Sequence, residues 1–159
     1  MQHQRSITAA TLLGTISLLL AIAVPVASAT LPSTWQRGMN FTAWSAGGYG
    51  SGEARDGLRE LAALGTDRVV LTPTWYMDTA SSDTVGPDAA RTPSDASLTT
   101  AMQEARELRM QVILKPHVDV GDGTFRGTIA PADREAWFDS YGAMLSHYAD
   151  IARRAEAQT

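Results

Sequence analysis

The sequence contains no cysteine, a single lysine, and no charged residue between Arg5 and Arg37. Because cysteine is absent, no disulfide can stabilise the protein, and its folded state must rest on its own apolar core. The 12 arginines are scattered among 17 acidic residues, so the chain has a net charge of −4 and no basic stripe. A nucleic-acid partner is therefore not expected.

The uncharged segment is organised like an export signal. A basic start at Arg5 precedes residues 7–26, which are mostly Leu, Ile, Ala and Val, and an Ala-Ser-Ala tripeptide ending at Ala29 matches what signal peptidase accepts. We therefore predict a signal peptide over residues 1–29, cleavage after Ala29, and a secreted protein. The alternative is an uncleaved membrane anchor, because about twenty apolar positions nearly span a bilayer, although four Thr and Ser residues weaken that span.

Strands and helices alternate along the 130 residues that follow this segment. After a linker over residues 30–37, aromatic and alternating runs predict strands, and apolar residues at helical spacing predict helices. Gly65 is placed to end the first helix, Thr92 to cap the second and Pro131 to open the third. The predicted strands are residues 38–44, 68–76 and 111–119. The predicted helices are residues 53–64, residues 93–108, and a third helix that opens at residue 131, has its apolar stripe from 137 to 152 and includes Glu156.

This βαβαβα order predicts parallel strands joined by right-handed crossovers. The helix-to-strand connections are about two to four residues long, whereas the strand-to-helix loops have about eight, fifteen and eleven residues. In a parallel α/β fold the strand-to-helix loops gather at the carboxyl edge of the sheet, where ligands bind. The long loops therefore mark the functional edge.

The third predicted strand distinguishes a barrel from an open sheet. Lys115, His117 and Asp119 share one face, while the alternate apolar positions, including Val112, would meet the helices. An inner face that becomes polar at the carboxyl end is typical of a β/α barrel, whereas an open doubly wound sheet buries both faces. We therefore predict an α/β fold, a partial (β/α)8 TIM barrel in which residues 38–159 supply about the first three of eight βα units.

Two short motifs suggest other ligands but lack the required residues. Residues 46–52 are glycine-rich and join a strand to a helix, yet they lack the Gly-x-Gly-x-x-Gly spacing and the Lys-Ser/Thr of a phosphate loop. Residues 119–123 lack the alternating oxygen ligands and terminal Glu of a calcium loop, so a hydrogen-bonded turn is favoured. No Gly-x-Ser-x-Gly nucleophile elbow is present. We predict no cofactor and no metal.

The polar residues of the third strand are candidate site residues. His117 and Asp119 lie two apart on one face, as two metal ligands could, but a third ligand is not visible. A hydrogen-bonding role in a polar site is favoured for His117, and a structural histidine is the other alternative. Lys115 either pairs internally with Asp119 or contacts substrate.

Aromatic residues stand at the carboxyl ends of two predicted strands. Trp44, Trp75 and Tyr76 offer flat apolar faces beside polar donors and carboxylates, a combination that suits the alternating apolar and hydroxylated faces of a sugar ring. Barrel packing is the alternative, and we expect it for one of the three. The sequence therefore favours a carbohydrate site at the carboxyl edge.

Several segments together resemble glycoside hydrolase family 113. They are residues 38–44 (GMNFTAW), 73–76 (PTWY), 92–95 (TPSD), 114–119 (LKPHVD) and 122–127 (DGTFRG), with further similarity at 137–138 and 141–149. The resemblance implies a (β/α)8 barrel that hydrolyses β-1,4-mannan with retention of configuration, its acid/base Glu ending the fourth strand and its nucleophile Glu the seventh. It also implies a polysaccharide or oligosaccharide partner. The residues expected to contact that glycan, none of them catalytic, are Asn40, Trp44, Trp75, Tyr76, Lys115, His117, Asp119 and Arg126.

The catalytic carboxylates are not expected in this chain. Retaining glycosidases need two carboxyl groups about 5–5.5 Å apart, and every Glu falls in a predicted helix. We therefore expect the N-terminal part of a secreted endo-β-mannanase-like hydrolase, inactive alone and prone to aggregate through open strand edges. The alternatives are a non-catalytic carbohydrate-binding or scaffold protein, and a barrel completed by a separate C-terminal polypeptide.

Overall fold

The computed structural model describes residues 35–155. The predicted signal peptide, its cleavage after Ala29 and the linker as far as residue 34 lie outside the described residues. Within residues 35–155 no helix combines the length and the apolarity needed to cross a membrane. The elements are β1 (Gly38–Phe41), α1 (Gly52–Ala63), β2 (Arg68–Leu71), β3 (Thr74–Met77), α2 (Asp95–Glu107), β4 (Gln111–Leu114), β5 (His117–Val120) and α3 (Arg134–Arg154), with 3-10 turns at Gly48–Gly50 and Arg126–Thr128.

The strands pair in parallel. β1, β2 and β4 form one sheet in that order, and β3 pairs with β5. Leu71 pairs with Leu114 and Thr74 with His117, so one register runs through both sheets. The α/β class and the parallel βα alternation predicted from the sequence are confirmed.

The prediction of two uninterrupted strands was wrong at Pro73 and Pro116. These prolines fall opposite each other in the common register, and neither has an N–H to donate, so the ladder pauses there. Backbone hydrogen bonds on either side keep the two strands aligned. Lys115 N–H donates to the Leu71 carbonyl and His117 N–H donates to the Pro73 carbonyl, each at a distance of 2.9 Å. β2 with β3, and β4 with β5, therefore continue as two long strands.

One face of the sheet packs against the helices and forms the apolar core. Val69, Leu71 and Val112 are at most 2% exposed on this face, whereas Ile113 on the opposite face is 37% exposed. This confirms the alternation predicted for the third strand. The helices supply further fully buried side chains, among them Leu58, Leu98, Met102, Met144 and Ile151.

The helix ends agree only in part with those predicted. Gly65 follows α1 with a φ of +84°, the left-handed conformation expected of a glycine that ends a helix. Thr92 does not cap α2, because its hydroxyl is bonded to loop and strand backbone instead, and Pro131 precedes the start of α3 by three residues. The side chains that do accept N-cap hydrogen bonds are Ser51, Ser94 and Asp133.

Tyr49 bonds β1 to β2 just beyond the end of their ladder. β1 ends at Phe41, three residues before the predicted end, and Tyr49 is fully buried beside it. The Tyr49 hydroxyl donates to the Phe41 carbonyl and accepts from Thr72 N–H, each over 2.8 Å. Burial raises the pKa of Tyr49 to about 12, so the phenol stays neutral near neutral pH and keeps both bonds.

Tyr49→Phe is expected to lower the free energy of unfolding by about 1–3 kcal/mol, because the buried Thr72 N–H loses its acceptor. Urea unfolding followed by circular dichroism measures the change. Tyr141→Phe is the matched control, since the Tyr141 ring stacks on Trp137 and its hydroxyl makes no hydrogen bond within residues 35–155. Equal losses in the two variants would contradict the role given to the Tyr49 hydroxyl.

Candidate functional site

Polar side chains of β3 and β5 meet at the carboxyl edge of the sheet. Thr74 pairs with His117 and Tyr76 with Asp119, so these residues stand on one face in two successive rungs. Lys115 precedes His117 by two residues on the same face and is exposed, whereas Tyr76, His117 and Asp119 are half-buried. The structure thus brings together four of the residues that the sequence placed in the site.

Arg126 joins this face from the 3-10 turn after β5. Its Nη1 donates to His117 Nδ1 over 2.9 Å, and its Nη2 lies 3.7 Å from Asp119 Oδ2. Because a guanidinium can only donate, Nδ1 of His117 must accept and the ring proton must sit on Nε2. His117 therefore presents an Nε2–H donor to whatever binds at this face.

The surroundings hold His117 in its neutral form. Burial lowers the pKa of His117, and the positive charges of Arg126 and Lys115 lower it further, against a smaller opposing effect of Asp119. Asp119 also accepts Val120 N–H over 3.0 Å. Among the ion pairs of residues 35–155, Asp119 pairs with Arg126 and not with Lys115, so the internal Lys115–Asp119 pair considered from the sequence is wrong.

Two residues that the sequence analysis missed complete the arrangement. The guanidinium carbon of Arg91 lies 4.0 Å from the centroid of the Tyr76 ring, and Arg91 Nη2 donates to Asp88 Oδ2 over 2.8 Å. Both residues lie in the loop between β3 and α2, where neither periodicity nor a motif marks them. Only the length of that loop indicated its importance. We call the assembled set the inner-face cluster: Tyr76, Asp88, Arg91, Lys115, His117, Asp119 and Arg126.

Trp75 does not belong to this cluster. It pairs with Val118, and its ring centroid lies 5.8 Å from that of His147 and 6.2 Å from that of Tyr148, both in α3. This placement favours the packing alternative for Trp75 over contact with a glycan, because the period-two alternation that turns Tyr76 inward turns Trp75 toward the helix. Of Trp44, Trp75 and Tyr76, Trp75 is therefore the one that packs against the helices.

Asn40 lies in β1 and Trp44 follows that strand, and neither residue belongs to the inner-face cluster. Trp44 is 53% exposed and lines an open cleft of about 430 Å³ together with Ser45, Ser51 and Glu53. Asn40 is exposed within β1. Their contacts with a glycan stay predictions.

The similarity to known proteins extends over all of these elements. The family model described as Glycoside Hydrolase Family 113 matches residues 34–159. The chain belongs to glycoside hydrolase family 113. A search of curated proteins found no match.

Three solved structures of family 113 enzymes are similar to this chain. The GH113 β-mannanase AaManA from Alicyclobacillus acidocaldarius, in complex with ManMIm, is 33% identical with a TM-score of 0.72, over 77% of this chain and 42% of that one. A complex and a further structure described as GH113 β-1,4-mannanase are 28% and 27% identical, each with a TM-score of 0.70, over 77% of this chain and 43% of theirs. The chain thus spans about two-fifths of the length of each mannanase, and the predicted partial (β/α)8 barrel is confirmed.

In this family 113 chain the segment after β5 is a turn. Hydrogen bonds from the side chain and the backbone N–H of Thr124 lower the pKa of Asp122, and Gly123 has a φ of +85°. Residues 35–155 contain no group of three or more His, Asp or Glu that could hold a metal ion. The hydrogen bonding agrees with the turn favoured from the sequence over a calcium loop.

Within residues 35–155 the glutamates of the family 113 chain lie in helices. Within residues 35–155 none stands at a strand end, in agreement with the sequence analysis. Glu53 and Glu60 lie in α1, Glu104 and Glu107 in α2, and Glu135 in α3.

Proposed function

We propose that this chain forms the first part of the glycan-binding face of a β-1,4-mannan hydrolase. The observation that carries the proposal is the inner-face cluster, which lies at the carboxyl ends of adjacent parallel strands, where β/α barrels bind substrate. The similar structures are described as β-mannanases, one of them in complex with ManMIm. Mannan is therefore the glycan we expect here.

The members of the cluster suit different parts of a sugar. The Nε2–H of His117 can donate to a hydroxyl, Asp119 can accept from one, and the Lys115 ammonium supplies a charged donor. The Tyr76 ring offers apolar surface to the C–H groups of a hexose. Because Arg126 is paired with Asp119, the cluster carries balanced charge at its centre and favours a neutral hydroxylated polymer.

Hydrolysis with retention requires two carboxyl groups about 5–5.5 Å apart. Since no Glu of residues 35–155 stands at a strand end, we assign the catalytic pair to βα units other than the three described. The described units would then hold and orient the glycan, and we expect them to bind without cleaving it.

Calorimetry with mannotetraose tests whether the chain binds the glycan, and a reducing-sugar assay on mannan tests whether it cleaves the glycan. We expect saturable binding of mannotetraose and no product from the purified chain, with cellotetraose as the comparison ligand. Turnover in the ordinary enzyme range of about 1–10³ s⁻¹ would overturn the assignment of the catalytic pair to other units. A folded chain that binds no manno-oligosaccharide would overturn the glycan-binding role.

A chimera tests the same face within a complete barrel. Residues 34–155 would replace the aligned part of the Alicyclobacillus β-mannanase, and we expect the chimera to hydrolyse mannan and to lose most of that activity on His117→Ala. A folded chimera that binds mannotetraose but cannot cleave mannan would instead favour a non-catalytic carbohydrate-binding or scaffold role.

We further propose that the protein is exported and that residues 1–29 are removed. The basic start, the apolar run and the Ala-Ser-Ala tripeptide support this. Peptide mass spectrometry of the secreted protein is expected to find Thr30 as the first residue. A membrane-bound protein that keeps residues 7–26 would replace this proposal with the anchored form.

A further inference from the structure

We propose that Arg91 is a positioning residue that holds the Tyr76 ring in place for the glycan, and that Asp88 fixes the Arg91 guanidinium. The inference rests on the proposed glycan-binding function and extends it to a loop in which the sequence marks no site residue. It assigns the loop between β3 and α2 a defined task, which is to cover one face of an aromatic ring at the carboxyl edge of the sheet.

The Arg91 cation contacts the Tyr76 ring directly. The guanidinium carbon of Arg91 lies 4.0 Å from the Tyr76 centroid, within the range of a cation–π interaction. A ring face covered in this way cannot also stack on a sugar. The other face, the edge and the hydroxyl of Tyr76 are therefore the parts left for a ligand, and Arg91 determines which parts those are.

Asp88 fixes the position of Arg91. Asp88 Oδ2 accepts from Arg91 Nη2 over 2.8 Å, while Asp88 Oδ1 accepts the backbone N–H groups of Ala90 at 2.9 Å and Arg91 at 2.8 Å. These bonds lower the pKa of Asp88 to about 2, so the carboxylate is ionised near neutral pH. Asp88 therefore holds both the main chain and the side chain of Arg91.

The turn formed by residues 86–92 is bonded to the strand that carries Tyr76. Thr92 Oγ1 accepts Asp88 N–H over 2.8 Å and donates to the Thr74 carbonyl over 2.7 Å, two residues before Tyr76. Tyr76 in turn exchanges backbone hydrogen bonds with Gly86, at 2.8 and 3.0 Å, at the start of the same turn. The distance from guanidinium to ring is thus set by hydrogen bonds on both sides of Asp88 and Arg91, at Gly86 and at Thr92.

Gly121 provides room for the guanidinium from the neighbouring strand. A Cβ at this position would lie 3.3 Å from Arg91 Nη2 and 3.1 Å from the Met77 carbonyl oxygen. A larger residue at position 121 would therefore crowd both the Met77 carbonyl and the Arg91 guanidinium. The end of β5 and the loop before α2 are shaped to each other around this one side chain.

The pair itself contributes little to stability. The side chains of Arg91 and Asp88 are 41% and 29% exposed, and ion pairs with such access to water are weakly stabilising. An effect of Arg91 on glycan binding can therefore be measured apart from an effect on folding. This separation is what makes a positioning role testable.

The experiment compares Arg91→Met, Arg91→Lys and Asp88→Asn with the unchanged full chain, and uses Arg154→Met as the matched arginine control at the end of α3. We expect Arg91→Met to weaken mannotetraose binding about two- to fivefold, the size of a cation–π contact at an exposed site, with a urea midpoint that changes little. Arg91→Lys keeps a cation and should recover part of the affinity, and Asp88→Asn should fall between the two. Arg154→Met should bind as the unchanged chain does.

A second readout is independent of glycan binding. Burial raises the pKa of Tyr76, and the positive charge of Arg91 opposes that rise, so Arg91→Met should raise the Tyr76 pKa further in an ultraviolet titration in which Tyr76→Phe identifies the transition. If the unchanged chain binds no glycan but this pKa moves, the proposed function fails and the contact between Arg91 and the ring stands without its glycan role. If Arg91→Met leaves both affinity and titration unchanged, or loses affinity only in proportion to stability, the positioning role is overturned.

Discussion

Arg126→Ala is expected to weaken mannotetraose binding about ten- to thirtyfold. The variant removes the donor that fixes the His117 tautomer, 2.9 Å from Nδ1, and the charge that pairs with Asp119. Hydrogen bonds to charged groups contribute about 1.5–3 kcal/mol. Because the Arg126 side chain is 43% exposed, we take the lower part of that range, and each 1.4 kcal/mol is about tenfold in affinity.

The same variant should change the dependence of binding on pH. The pKa of His117 lies below its ordinary value of 6.5, first because of burial and then because of Arg126 and Lys115. In the unchanged chain, protonation as the pH falls through this lowered pKa places a second cation against Arg126 and removes its acceptor, so affinity should decline. Without Arg126 this repulsion is absent and one cause of the lowered pKa is gone, so His117 should protonate at a higher pH and the decline in affinity should be smaller.

The free energy of unfolding should also decrease as the pH falls. Since the folded pKa of His117 lies below the unfolded value, the unfolded chain takes up the proton first as the pH falls. The contribution of His117 to stability is therefore complete above about pH 6.5 and is lost as the pH falls through the folded pKa. His117→Gln should remove this dependence.

Calorimetry between pH 5 and 8 on the unchanged chain, Arg126→Ala and His117→Gln measures these effects. Arg154→Ala serves as the arginine control, because Arg154 lies at the end of α3 and outside the inner-face cluster. A pH profile that is the same in Arg126→Ala and the unchanged chain, or that persists in His117→Gln, would contradict the hydrogen bond between Arg126 and His117 as the source of the dependence.

The main features of the fold follow from patterns that the sequence displays openly. Apolar residues alternate along the third strand, and this alone placed Val112 toward the helices and Lys115, His117 and Asp119 on the inner face. The physical reason is the strict period of two in a strand, which no neighbour can shift without turning the whole strand over. Residues on regular strands were therefore the easiest to place.

The corrections concern residues whose role depends on partners distant in sequence. Pro73 and Pro116 interrupt both strands at the same level, which is visible only once the register is known. Thr92 looked like a helix cap, but its hydroxyl bonds to the Asp88 N–H and the Thr74 carbonyl. Local propensity describes what a threonine can do, whereas tertiary contacts decide which of those bonds it makes.

In the candidate site, too, residues on strands were easier to predict than residues in loops. His117 and Asp119 were predictable because they lie on a strand, whereas Arg91 reaches Tyr76 from an irregular loop that has no period. Trp75 was placed in the site from its position at a strand end alone, without its parity along the strand. An aromatic residue at the carboxyl edge can face the ligand or the helix, and the adjacent Tyr76 shows the difference that one residue makes.

Leu98→Ala is expected to lower the free energy of unfolding by about 2–5 kcal/mol, since it removes a large buried side chain and leaves a cavity. Leu98 is 0% exposed in α2, the helix between the two long strands in chain order. Because domains of this size are stable by only about 5–15 kcal/mol, the variant should unfold at a clearly lower urea concentration than the unchanged chain, as followed by circular dichroism.

Leu64→Ala removes the same atoms from a position that is 82% exposed, and surface changes of this kind stay within about 0.5 kcal/mol. The difference in unfolding free energy between the two variants therefore measures the effect of burial, because the atoms removed are the same. A loss below about 1 kcal/mol for Leu98→Ala would mean that α2 does not close the core over the strands. In that case the loop that carries Asp88 and Arg91 into α2 would have no rigid support, and both the core and the positioning of Tyr76 would fail together.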